Sequence, residues 1–145
     1  MSNEYPVIRT IADPDVEDVI ALWSECGLVE PWNDPRADIE RSRKSAASEI
    51  FVAAREDGQI VASIMVGNDG HRGWFYYLAV TPELQRGGLG RRMVQTAETW
   101  MKERGVVKAM LMIRTSNIKV HGFYEALGYE PQERVLMARW LDGRP

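Results

Sequence analysis

The chain has 145 residues, 45% of them hydrophobic and 27% charged, which is the length and balance of one globular domain able to bury a core. Its net charge of -3 gives no global reason to expect nucleic acid or an anionic membrane as partner. A single cysteine, Cys26, excludes an intrachain disulfide and a cysteine-rich metal site. No apolar run approaches a membrane span and no leader peptide is evident, so a reducing cytoplasm is the expected location.

In chain order, YPVIRTI reads as a short strand, ended by Ala12-Asp13-Pro14, where Asp13 can cap a helix with Pro14 at its first position. Val16, Val19, Ile20 and Trp23 recur at helical spacing through Cys26, whose place in the pattern marks it as a packing residue, and Gly27 ends the run. Asp34-Pro35 starts a second, mostly polar helix, RADIERSRKSAAS. EIFVAAR, QIVASIMVG and RGWFYYLAV are three consecutive strands, joined by a hairpin turn at Glu56-Asp57-Gly58 and by NDGHRG, and are expected to form an antiparallel meander.

A helix follows with Leu89, Met93, Ala97, Trp100 and Met101 on one face, ended by Gly105. VVKAMLMI is a further strand, so strand, glycine-rich loop, helix and strand make a right-handed crossover between parallel strands. A short helix from Ile118 to Leu127 ends at Gly128, and ERVLMARWL is expected to close the chain as a last strand, whose aromatic character around Trp140 could pair across a homodimer. The fold class is α+β, in a single domain over residues 1–145, with an antiparallel meander extended by one parallel crossover.

LQRGGLGRR lies at the strand-to-helix junction of that crossover. A glycine-rich turn there presents unpaired backbone N–H groups and the positive end of the helix dipole, a ready site for an anion such as phosphate. Arg86, Arg91 and Arg92 add positive charge. A nucleotide P-loop needs Lys and Ser/Thr after its last glycine, where Arg91-Arg92 stand, and a dinucleotide fingerprint needs a different glycine spacing and a later acidic residue. A loop with no ligand is the remaining alternative.

Three features point further: Gln85, Gly88 and Gly90 in the form Q-x-x-G-x-G after LAVTPE; Asn117 followed by Phe123-Tyr124 and Leu127-Gly128-Tyr129; and the order meander, loop, helix, strand, Asn, short helix. Together these resemble the GCN5-related N-acetyltransferase (GNAT) superfamily over essentially the whole chain, with Val120 departing from the family's usual Ala. PWNDPRADIER, DGHRG and YYLAVTPE resemble its YpeA-type bacterial branch, which has no established acceptor. The resemblance implies a mixed, mostly antiparallel sheet with a central splayed parallel pair flanked by helices. It implies acetyl-CoA as co-substrate and an amine as acceptor; no H-x-x-x-H or Cys/His spacing supports a metal.

By resemblance, the backbone of Leu78, Ala79 and Val80 would hold the pantetheine and polarise the thioester carbonyl. Gln85, Arg86, Gly87, Gly88, Leu89, Gly90 and Arg91 would hold the pyrophosphate, and Arg92 could reach a 3′-phosphate or be a solvated helix residue. Tyr124 would protonate the leaving thiolate, and Asn117 could hydrogen-bond the pantetheine or cap the helix at Ile118. Where some relatives carry a basic glutamate this chain has Met112, which leaves the general base unassigned and a non-catalytic acyl-CoA sensor as the alternative function.

On the acceptor side, Tyr76 and Tyr77 are expected on opposite faces of their strand, one toward the cleft. LVEPWNDP between the first two helices offers Trp32 as an apolar wall or core plug and Asn33 or Asp34 as a polar contact, with Asp34 better suited to capping the helix that starts at Pro35. His71 lies in a turn far from Leu78, and His121 is read as a packing or surface residue. The acceptor's identity, and whether it is a peptide or a small amine, is not written in these residues.

Overall fold

The computed structural model describes residues 5–145. The chain divides into two compact units, Met1–Met112 and Ile113–Pro145.

The first unit holds a five-stranded sheet in sequence order: β1 (Val7–Thr10), β2 (Ser48–Ala54), β3 (Ile60–Asn68), β4 (Gly73–Val80) and β5 (Ala109–Met110). The first four strands pair antiparallel and β4 pairs β5 in parallel, so the parallel pair lies at the end of the sheet. The meander turns are made by the anticipated residues. At the β2–β3 turn, Gly58 adopts a φ of 91° and the Asp57 carboxylate accepts the Gln59 N–H at 2.9 Å. At the β3–β4 turn, the Asp69 carboxylate accepts the N–H groups of His71 and Arg72, both at 2.8 Å, and these bonds hold it below the usual carboxylate range.

Three helices complete this unit: α1 (Val16–Glu25), α2 (Pro35–Lys44) and α3 (Leu89–Glu103). The alternation of β3 separates two layers of core. Ser63 and Met65 face α1, where Val19, Leu22 and Trp23 are buried with Ile39 of α2, while Ala62, Ile64 and Val66 lie on the opposite face. There α3 packs on β2, β3 and β4 with Leu89, Met93, Val94, Ala97, Trp100 and Met101 buried.

The cap of the first helix differs from expectation. Asp13–Asp15 form a short 3-10 turn ahead of α1, and Asp15, not Asp13, holds the N-cap position of α1, with no side-chain bond to that helix. Its buried carboxylate accepts the Ala12 N–H at 2.8 Å and pairs with Arg9 at 2.5 Å. Asp13 instead pairs with Arg43 at 2.7 Å on the surface. At α2 the cap is as anticipated: the Asp34 carboxylate accepts from Arg36 N and Ala37 N at 3.0 and 3.3 Å.

The second unit contains α4 (Ile118–Ala126), with Tyr124 its one buried residue. Two expected strands are corrected. VVKAMLMI shortens to Ala109–Met110, because only those residues find partners on β4. ERVLMARWL forms no strand: residues 133–141 make no ladder among the described residues, and Val135, Leu136 and Met137 are exposed. Its run of apolar and aromatic residues supplied propensity without a partner edge, and propensity alone does not make a strand.

Candidate active site

The fourth strand is irregular where the site is expected. Across β3 and β4, Ser63 pairs with Ala79 but Met65 pairs with Tyr76, so β4 carries one extra residue opposite Ile64, a β-bulge. Tyr77 marks it with a φ of 54°, in the left-handed region. This overturns the expected placement of the two tyrosines. Tyr76 lies opposite Met65 and shares its face; Tyr77 packs on the same face, against the cluster around Trp23. Tyr76 is 42% exposed, and partial burial still pushes its phenol up. Tyr77 is not free to line a cleft, because its ring stacks on Trp23 and its hydroxyl donates to Asp38 Oδ2 at 2.6 Å. Burial, then the bond to Asp38, pushes its phenol far above the ordinary tyrosine range.

Beyond the bulge, β4 exposes one edge. Its parallel ladder with β5 registers only Gly73 and Trp74, and beyond Tyr77 that side has no strand partner among the described residues. Thr81 N donates to Val61 O at 2.8 Å, which turns Thr81 toward β3; alternation turns Ala79 the same way and leaves Leu78 and Val80 facing the unpaired edge. Of the three expected backbone contacts, Ala79 is therefore committed to the sheet. The Val80 carbonyl is also occupied, accepting Gln85 Nε2 at 2.9 Å and Cys26 Sγ at 3.4 Å. Among the described residues, the Leu78 peptide groups and the Val80 N–H are open on that edge.

The strand then runs into the loop through a short 3-10 turn at Pro82–Leu84. Gln85 donates a side-chain N–H to Val80 O and so ties loop to strand. Arg86 takes a φ of 69° and Gly88 a φ of 89°, and Gly88 is the N-cap of α3 with no side-chain capping bond. Arg92 N closes the first helical hydrogen bond onto Gly88 O at 3.1 Å. The N–H groups of Leu89, Gly90 and Arg91 belong to an uncapped first turn and have no partner among the described residues. This start contrasts with that of α2, which Asp34 caps.

Arg86 and Arg91 are exposed and make no ion pair among the described residues, so their charge adds to the helix dipole at this turn. Gly87 sits close to the chain, where an added Cβ would approach Leu84 O at 3.3 Å. Arg92 points elsewhere: its guanidinium lies 5.8 Å from the Tyr5 ring centroid and reaches Pro6 O at 3.4 Å, which removes it from the anion turn.

In the second unit, Asn117 occupies the N-cap position of α4 but makes no side-chain capping bond, so its amide is not used in the capping role. Tyr124 is 6% exposed and lies edge-on to Phe123 and Tyr129, with ring centroids 4.9 and 5.8 Å apart. Burial pushes its phenol far up, keeping it protonated at neutral pH. His121, one turn earlier, buries Nε2 without a hydrogen-bond partner among the described residues.

On the acceptor side, Trp32 is 47% exposed and so is not a core plug. Asn33 is half-buried and its N–H donates to Glu30 O at 3.0 Å. His71 stands exposed in its turn. No group of three or more His, Cys, Asp or Glu that could hold a metal occurs among the described residues, and no described helix is long and apolar enough to cross a membrane. Sequence reasoning missed Asp38 and Ser63. The signal for Ser63 was a polar residue in the middle of the buried run QIVASIMVG; Asp38 carried no signal beyond its place on a polar helix.

Comparison with known proteins agrees with this geometry. The model of the Acetyltransferase (GNAT) family matches residues 16–129. An acetyltransferase of Yersinia enterocolitica is 41% identical over 134 residues, covering 92% of this chain and 94% of its own. One from Sodalis glossinidius is 42% identical over 130 residues, covering 90% and 91%. Among solved structures, an aminoglycoside N-acetyltransferase, AAC(6')-Iy, in complex with CoA superposes with a TM-score of 0.82 at 17% identity, covering 97% of each chain. Glucosamine-6-phosphate N-acetyltransferase from Arabidopsis thaliana gives a TM-score of 0.75 at 22% identity, covering 96% of this chain and all of its own.

Proposed function

The chain belongs to the GNAT acetyltransferase family and is an N-acetyltransferase, and from that premise we propose that it moves the acetyl group of acetyl-CoA to a primary amine by direct attack. The acceptor is a small molecule or the terminal or lysine amine of a protein. We read residues 1–145 as one acetyltransferase domain, since the family match runs from 16 to 129. A cytoplasmic setting goes with acetyl-CoA as donor.

The observation that carries this reading is the unpaired edge of β4 running directly into an uncapped, arginine-bearing helix start. An acyl-CoA needs those two things in that order: peptide groups for its pantetheine amides and thioester, then N–H groups and positive charge for its pyrophosphate. The residues present suit it. Leu78 and the Val80 N–H would meet the pantetheine arm; Gly87 to Arg91, with Arg86, would cradle the diphosphate. Gln85 would act by shaping the loop. The CoA held by a solved aminoglycoside acetyltransferase of this fold supports the same co-substrate here.

Bound acetyl-CoA supplies an acetyl group activated as a thioester. The Leu78 N–H, fixed and facing outward, would stabilise the charge that develops on the carbonyl oxygen during attack. The amine forms the C–N bond, the C–S bond breaks, and the surplus amine proton passes to solvent, since the site has no assigned base. We assign Tyr124 the departing sulfur. Its raised pKa keeps the donor loaded but makes it a weak acid beside a thiol of pKa about 8.5. Its help is therefore a hydrogen bond shared in the transition state, with the proton following as the thiol leaves and Tyr124 taking a proton back from solvent. Trp32, Asn33 and Tyr76 are the proposed acceptor contacts.

A thiol-release assay with acetyl-CoA and a panel of small amines, lysine peptides and N-terminal peptides tests this. Acetylated product from at least one amine class is expected. Tight CoA binding with no turnover on a broad panel contradicts amine transfer.

A further inference from the structure

Tyr77 occupies a left-handed backbone conformation inside a strand, with no glycine to make it easy. A non-glycine residue stays there only when its surroundings over-determine it. Three elements do so. The Tyr77 carbonyl accepts from Ser63 Oγ of β3 at 2.8 Å, and Ser63 Oγ itself accepts from Trp23 Nε1 of α1 at 2.8 Å. The Tyr77 ring stacks on Trp23 with centroids 3.7 Å apart and planes 6° from parallel. Its hydroxyl donates to Asp38 Oδ2 of α2, whose other oxygen accepts from Arg41 at 2.8 Å. Asp38 is in turn fixed on the helix, its N–H donating to Asp34 O at 3.0 Å.

The consequence lies in one peptide plane. The Tyr77 carbonyl and the Leu78 N–H belong to the same planar trans unit and point in opposite directions. Holding that carbonyl on Ser63, toward β3, aims the Leu78 N–H at the unpaired edge of β4. We infer that Tyr77 and Asp38, with Ser63 and Trp23, form a latch that sets the direction of the Leu78 N–H, making Tyr77 and Asp38 positioning residues for acyl transfer. This rests on the reading that the Leu78 N–H meets the thioester carbonyl. It moves Tyr77 from acceptor contact to backbone support, and gives α2 a part in the reaction although Asp38 need not touch either substrate.

The test uses the full chain, labelled with 15N and titrated separately with acetyl-CoA and with CoA, which lacks the acetyl carbonyl. In the wild type the Leu78 amide is expected to respond to acetyl-CoA more than to CoA. Tyr77→Phe keeps the stack on Trp23 and loses only the hydroxyl; Asp38→Ala loses the acceptor. In both, the acetyl-specific response of Leu78 is expected to fall by about half or more while CoA affinity changes little, since the anion turn is untouched. Asp38→Asn, which keeps an acceptor oxygen, is expected to restore most of the response. The double variant is expected to match either single variant, because both cut the same bond. Folding is read from the dispersion of the remaining amides, and Tyr77→Phe carries the test if Asp38→Ala unfolds. Folded variants with an unchanged Leu78 response overturn the latch and leave the thioester contact standing. A wild-type Leu78 amide indifferent to the acetyl group overturns the contact and the latch together.

Discussion

Trp23 and Tyr77 lie face to face, 3.7 Å between ring centroids, and Trp23 also donates to Ser63, the residue that holds the Tyr77 carbonyl. One buried indole thus supports both the side chain and the backbone of the bulge. Ser63→Ala would leave the Trp23 Nε1–H without its partner in a fully buried site. Such an orphaned donor costs about 1–3 kcal/mol. Urea unfolding is expected to show a lower midpoint with an unchanged slope; an unchanged midpoint would show that this bond contributes nothing net.

Gly73 begins β4 where it meets β5, and a Cβ there would lie 2.4 Å from Met101 Sδ and 3.0 Å from Val106 Cγ1. Met101 is buried in the α3 layer and has little room to yield. Gly73→Ala is therefore expected to destabilise the chain by about 1–3 kcal/mol through overpacking. Thermal unfolding checks it, and wild-type stability would mean that the methionine side chain moves aside.

Asp15 is buried, and the hydrogen bond from Arg9, then that from Ala12, holds its carboxyl below the usual range. A depressed folded pKa contributes stability that is complete above the unfolded value of about 3.9 and is lost as pH falls through the folded value. Asp15→Asn should lose about 1–2 kcal/mol at neutral pH and show a shallower loss between neutral and acid conditions than the wild type. Urea midpoints measured at pH 7 and pH 3 decide it; parallel losses in the two proteins would exclude Asp15 as a source of acid sensitivity.

Tyr124→Phe removes only the phenol hydroxyl from the buried position on α4. Turnover is expected to fall about 10- to 100-fold while acetyl-CoA affinity stays within about twofold. Because burial raises the Tyr124 pKa, the wild type should show no loss of rate from this group through mildly alkaline pH. Steady-state kinetics with any accepted amine measure both. Unchanged turnover removes Tyr124 from the chemistry.

Much of this was legible in residue order. Asp34-Pro35, Asp57-Gly58 and the glycines around Leu89 announced a cap, a hairpin and a helix start, because each demands local chemistry that few residues supply. The bulge at Tyr77 was not legible, since strict alternation was assumed through GWFYYLAV and a bulge is set by tertiary partners: Ser63, fourteen residues away, and Asp38, thirty-nine away. Gln85 lies in the expected loop and there donates to Val80 O, and Arg92, open in sequence between a 3′-phosphate contact and a solvated helix residue, turns to Pro6 and Tyr5. Spacing places such side chains on the correct loop or helix without stating which neighbour they choose. The strand expected at ERVLMARWL failed because a strand needs an edge to pair with, and no sequence pattern within the segment guarantees one.

The central claim is that the turn between β4 and α3 grips the diphosphate of acetyl-CoA. Gly88, at a φ of 89° and with open space around it, tests this best, because a glutamate there brings a negative charge to the cradle as well as backbone strain. Isothermal titration of CoA into wild type and Gly88→Glu, with unfolding curves to confirm that both are folded, is the direct measurement. Stoichiometric binding to the wild type and none to a folded Gly88→Glu is the expected result; equal binding to both would contradict the claim.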